Sequence, residues 1–98
     1  MTAYVIVDMD VTDQDRYANY RPLAQASIAE AGGRYLVRGG EVEVLEGEAA
    51  PNRIVIVEFS DLETARNWYD GPGYRAARAE RDGAATATFL LVDGVAAS

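Results

Sequence analysis

Tyr4-Val5-Ile6-Val7 and Ile54-Val55-Ile56-Val57 decide how this chain folds, because neither stretch has a polar face. A strand in a sheet covered on one side alternates apolar with polar residues, since its other face meets water. These two do not alternate, so both faces of their sheet must be covered. A chain of 98 residues has too few helices to cover both faces of a four-stranded sheet. A second copy of the same sheet is the simplest cover, which predicts a homodimer whose subunits meet sheet to sheet.

Working outward, strand-helix-strand occurs twice. The first strand is expected over Ala3 to Asp10, followed by Thr12-x-x-Asp15, which reads as a capping box with Thr12 as the cap. Tyr17, Tyr20, Ala24, Ile28 and Ala31 recur at helical spacing, with a kink expected at Pro22 and a stop at Gly32-Gly33. A second strand is expected from Arg34 to about Glu46, bent at Gly39-Gly40, then a loop through Pro51 and a third strand over Arg53 to Phe59. Ser60-x-x-Glu63 reads as the second capping box, and Leu62, Ala65, Trp68 and Tyr69 as the stripe of the helix it opens. Gly71-Pro72-Gly73 breaks that helix, Tyr74 to Asp82 continues it, and Ala85 to Asp93 is the last strand.

This order predicts an α+β, ferredoxin-like βαββαβ fold, with a four-stranded antiparallel sheet in the order 4-1-3-2 and both helices on one face. One domain is expected over residues 1–95, with residues 96–98 as a flexible tail.

Composition excludes more chemistry than it supplies. The net charge is −7, with sixteen acidic residues against nine basic ones, which argues against nucleic-acid or anionic-membrane partners. No apolar run reaches membrane length and no signal-peptide pattern opens the chain, so the cytoplasm is the expected location. There is no cysteine or histidine, and all nine basic residues are arginine. Thiolate, imidazole and side-chain Schiff-base chemistry are therefore absent, and no metal or other cofactor is expected. Glu41, Glu43, Glu46 and Glu48 lack the loop pattern of a calcium site and read as a solubilising edge.

The run GGRYLVRGGEVEVLEG (Gly32 to Gly47), the RIVIVEF strand and WYDGPGYRAARAERDGA together resemble the domain-of-unknown-function family numbered 1330. The resemblance extends to the opening AYVIVD and the closing FLLVDGV. It implies membership of the dimeric α+β barrel group, in agreement with the two-faced strands. That group includes cofactor-independent monooxygenases, isomerase-like proteins and haem-binding proteins. Ligation of haem through histidine is closed to this chain.

Strand parity puts Tyr4, Ile6 and Asp8 on one face, Leu36 and Arg38 on one face, and Ile56 and Glu58 on one face. Their charges assign all three sets to the side away from the helices. Tyr4, Glu58 and Arg38 then form a row across the sheet. Arg38 and Glu58 are either a structural cross-strand pair or a site, with Arg38 holding an anion or oxyanion and Glu58 acting as base. Trp68, Tyr69 and Tyr74 either anchor the second helix or line a pocket, with Tyr74 and Arg75 at its mouth. Arg75, Arg78 and Arg81 read as a solvated helix face.

Two functions follow. One is a small-molecule site, binding or transforming an apolar acid or carbonyl compound in the barrel, as monooxygenase-like or isomerase-like enzymes do. The other is a non-catalytic dimeric structural or stress-related protein with a filled barrel.

Overall fold

The computed structural model describes residues 2–95, and the tail expected at 96–98 lies outside the described residues. The elements are β1 (Ala3–Val11), α1 (Gln14–Glu30), β2 (Arg34–Arg38), β3 (Arg53–Phe59), α2 (Leu62–Asp70), α3 (Pro72–Arg81) and β4 (Ala85–Asp93). The strands form one antiparallel sheet in the order β2-β3-β1-β4, which is the expected 4-1-3-2 order read from the other edge.

The helix ends show how local chemistry places these elements. Both caps fall one residue later than the sequence reading put them. Asp13 accepts from the Arg16 backbone N–H at 3.1 Å, and Asp61 accepts from Thr64 N–H at 2.7 Å. Thr12 is otherwise engaged: its backbone N–H and its hydroxyl both donate to the Ala84 carbonyl, tying the start of α1 to the start of β4. A carboxylate accepts strongly and also favours the positive end of the helix dipole, so each aspartate takes the cap from its hydroxyl neighbour. The Thr64 backbone bond, followed by the Thr64 side chain, draws the Asp61 carboxyl below its ordinary range. Helix α1 runs through Pro22 as one element. It stops where Gly32 takes φ of 77°, with Gly32 N–H bonded to Ala29 and Gly33 N–H to Ile28.

Strand β2 is much shorter than expected. It ends at Arg38, and the stretch from Gly40 to Asn52 is neither helix nor strand. Gly39 leaves the strand at φ of 73°, and the glutamates that follow are all exposed.

The helices cover one face of the sheet. Val5, Val7, Met9, Val57 and Phe59 point into that layer and meet Tyr17, Tyr20, Ala24, Ile28, Ala65, Trp68, Tyr74 and Ala77. On the other face lie Tyr4, Ile6, Asp8, Ile54, Ile56 and Glu58, as strand parity predicts for β1 and β3. No helix among the described residues is long and apolar enough to cross a membrane.

The uncovered face is strongly apolar. Ladder partners share a face, so Leu90, Ile6, Ile56 and Val37 form one row across it and Val92, Tyr4, Glu58 and Arg34 the next. Leu90 is 55% exposed and Val92 44%.

Candidate functional site

The expected row of Tyr4, Glu58 and Arg38 does not form. Tyr35 pairs with Val57 and Val37 with Ile56, so Leu36 is an extra residue, a β-bulge. One inserted residue reverses the parity of everything after it. Arg38 therefore pairs with Val55 and lies on the helix side, while Arg34 pairs with Glu58 on the open side. The ion pair of the sheet is Arg34–Glu58, with Nε 2.8 Å from Oε1. Tyr4 stays beside Glu58, half-buried, and Asp8 closes the other end of the strand by accepting from Asn52 N–H at 3.0 Å.

On the helix side, Arg38 meets a different environment. Its Nη2 donates to Gln25 Oε1 of α1 at 2.9 Å, and its guanidinium lies 4.4 Å from the centre of the Tyr35 ring. It stands at a cleft between the sheet and α1. Tyr17, Tyr20, Tyr35, Trp68 and Phe89 supply aromatic walls to this cleft, Met9, Val55 and Val57 its floor, and Arg21, Arg38 and Arg53 its charges. Its inner chamber has a volume of about 40 Å³, enough for a few water molecules or a short apolar group. An outer basin of about 370 Å³ shares Met9, Tyr17, Arg21 and Arg53 with the chamber and adds Gln14, Gly39, Gly40 and Asn52.

The remaining aromatic candidates divide by role. Trp68 lines the cleft and is held by its Nε1–H, which donates to Ser27 Oγ at 3.0 Å. Tyr74 is 1% exposed, so it lies in the core rather than at a pocket mouth. Its hydroxyl is 2.9 Å from that of Tyr20, and it meets the cleft through Tyr20, Trp68 and Phe89, which line it. Tyr69 packs on Tyr74 and Phe89, with the Arg78 guanidinium stacked 4.1 Å from its ring centre. Arg78 also donates to the Tyr69 carbonyl, and Arg81 lies over Phe89, so these two arginines brace α3 against α2 and β4, while Arg75 stays exposed as expected.

Burial pushes the phenols of Tyr20 and Tyr74 above their ordinary value, and Tyr20 is raised further by its neighbour Tyr74. Tyr35 is raised by burial too, with Arg38 opposing. All three stay protonated at neutral pH. No aspartate or glutamate lines the chamber or the basin. The cleft can thus hold an anion against an aromatic wall, but contains no side chain ready to remove a proton. Among the described residues there is no cluster of acidic side chains arranged to hold a metal ion.

Sequence reading missed Tyr17, Tyr20, Tyr35, Arg21 and Arg53 as cleft residues. Tyr17 and Tyr20 were expected only as a core stripe. Arg53 did carry a signal, since it shares strand parity with Val55, Val57 and Phe59, and an arginine on a buried face calls for explanation.

The chain belongs to the family described as Domain of unknown function (DUF1330), whose profile matches residues 2–95. Among solved structures, it is similar to a protein of unknown function from Rhodopseudomonas palustris, with 15% identity and a TM-score of 0.74 over 98% of this chain and 84% of that one. A dimeric ferredoxin-like protein of unknown function from Jannaschia sp. CCS1 matches with 11% identity and a TM-score of 0.70, covering 96% of this chain and 100% of that one. SnoaB, a cofactor-independent oxygenase from Streptomyces nogalater, matches with 15% identity and a TM-score of 0.59, covering 98% and 94%. Identities this low establish the ferredoxin-like fold alone. No curated protein matches the chain.

Proposed function

We propose that this chain binds a small apolar acid or carbonyl compound in the cleft between its sheet and α1, with Arg38 holding the anionic end. The observation that carries this reading is the Arg38 guanidinium at the mouth of an aromatic-lined cleft whose walls include no carboxylate. Small-molecule sites are apolar hollows with a few convergent polar groups, and an arginine there offers a planar fork of donors to a carboxylate or enolate oxygen. The protein works as a homodimer, joined through the apolar faces that the helices leave open.

In this reading Glu58 is a structural partner of Arg34 and not a base, since it lies on the opposite side of the sheet from Arg38. Any reaction in the cleft then relies on the bound compound reaching its anion by its own acidity, with Arg38 stabilising the charge. The resemblance in fold to a cofactor-independent oxygenase agrees with such chemistry.

The test is thermal-shift screening against small carboxylates, quinones and lactones, followed by variants. A ligand that stabilises the parent and Glu58→Leu but not Arg38→Met supports the reading. If no compound shifts the parent, the non-catalytic dimeric protein is the better account.

A further inference from the structure

We infer that the compound held in this cleft is a dianion, a short apolar body with two acidic groups. Arg38 takes one group, and Arg21 with Arg53 takes the other at the threshold between chamber and basin. This rests on the reading of the cleft given above and adds the charge and shape of the occupant.

Three guanidiniums face one cleft in a chain whose net charge is −7. None has a carboxylate partner, for the ion pair among the described residues is Arg34–Glu58. Arg21 and Arg38 are exposed and Arg53 is half-buried, so water screens their mutual repulsion in part, and negative charge placed between them relieves the rest. One acidic group on the occupant would leave two of the three positive charges unbalanced, and two groups leave one.

Arg53 supports the same conclusion by its placement. Its Nε is buried without a hydrogen-bond partner, as are those of Arg78 and Arg81, which leaves its Nη groups to meet an acid. Its guanidinium also lies against Gly39, where a Cβ would overlap it. The bare backbone at Gly39 thus leaves space for Arg53 at the threshold. Because Arg21 and Arg53 border both the chamber and the basin, they stand where a second acidic group would lie once an apolar body has entered.

Calorimetric titration of the protein with propionate and with malonate, succinate and glutarate tests this. The inference expects at least one dicarboxylate to bind about tenfold or more tightly than propionate, the value of one further charge-assisted hydrogen bond. Arg53→Gln and Arg21→Gln should weaken the dicarboxylates more than propionate and so remove that preference, whereas Arg38→Gln should weaken every acid. Arg53→Lys, which keeps the charge, guards against a folding defect and should retain part of the preference. Propionate binding as tightly as every dicarboxylate, or a preference that survives both Arg21→Gln and Arg53→Gln, overturns the dianion but leaves the cleft as a site for an acid. Absence of binding by all four acids overturns both.

Discussion

Arg34 reaches Glu58 across the β2–β3 ladder with Nε 2.8 Å from Oε1, while Arg38, further along the same strand, lies on the other side of the sheet against Gln25. The bulge at Leu36 separates the two arginines. It gives the open face a self-neutralised pair and gives the helix side an arginine without a carboxylate.

A double-mutant cycle distinguishes the two arginines. The Arg34 and Glu58 side chains are 71% and 25% exposed, so Arg34→Met with Glu58→Leu should show a coupling of about 0.2–1 kcal/mol in chemical unfolding. Arg38→Met with Glu58→Leu should show none. A clear Arg38–Glu58 coupling would mean that the bulge is misplaced.

The buried hydroxyl pair predicts a signature in stability. Tyr74→Phe leaves the Tyr20 hydroxyl without its partner at 2.9 Å, and should cost about 1–3 kcal/mol, whereas removing both hydroxyls should cost less than the single change. Both phenols titrate above their ordinary value in the folded protein, mainly because they are buried. The folded state then binds more protons than the unfolded one above roughly pH 10, where unfolded tyrosines ionise, so this pair makes stability fall as pH rises beyond that point. Urea unfolding between pH 8 and 11 checks this, with the Tyr20→Phe/Tyr74→Phe variant losing less stability than the parent at the alkaline end.

The uncovered face predicts the assembly. Ile56 sits in the row Leu90, Ile6, Ile56, Val37, which a second sheet would bury. The parent should be a twofold dimer burying on the order of 2,000 Å², and Ile56→Asp should dissociate it by placing an unpaired charge in that interface. Light scattering at micromolar concentration reads the result. A folded, monomeric parent would mean that the face stays open to water.

What the sequence determined by itself was the order of elements, the order of the strands and the presence of two apolar faces. These depend on extended signals: unbroken apolar runs at Tyr4–Val7 and Ile54–Val57, helical spacing from Tyr17 to Ile28, and glycines where helices stop. Repetition averages over local irregularity, so a cap displaced from Thr12 to Asp13 leaves the fold unchanged. The site depended on a single residue of register. Nothing in Arg34-Tyr35-Leu36-Val37-Arg38 marks Leu36 as the bulge, because all five residues suit a regular strand. Only pairing with β3 leaves Leu36 without a partner, and that pairing moves Arg38 from the face of Glu58 to the cleft beside Tyr35 and Arg53. Side-chain direction alternates with every residue along a strand, so one unpaired residue decided which arginine neutralises Glu58 and which lies against Gln25 at the cleft.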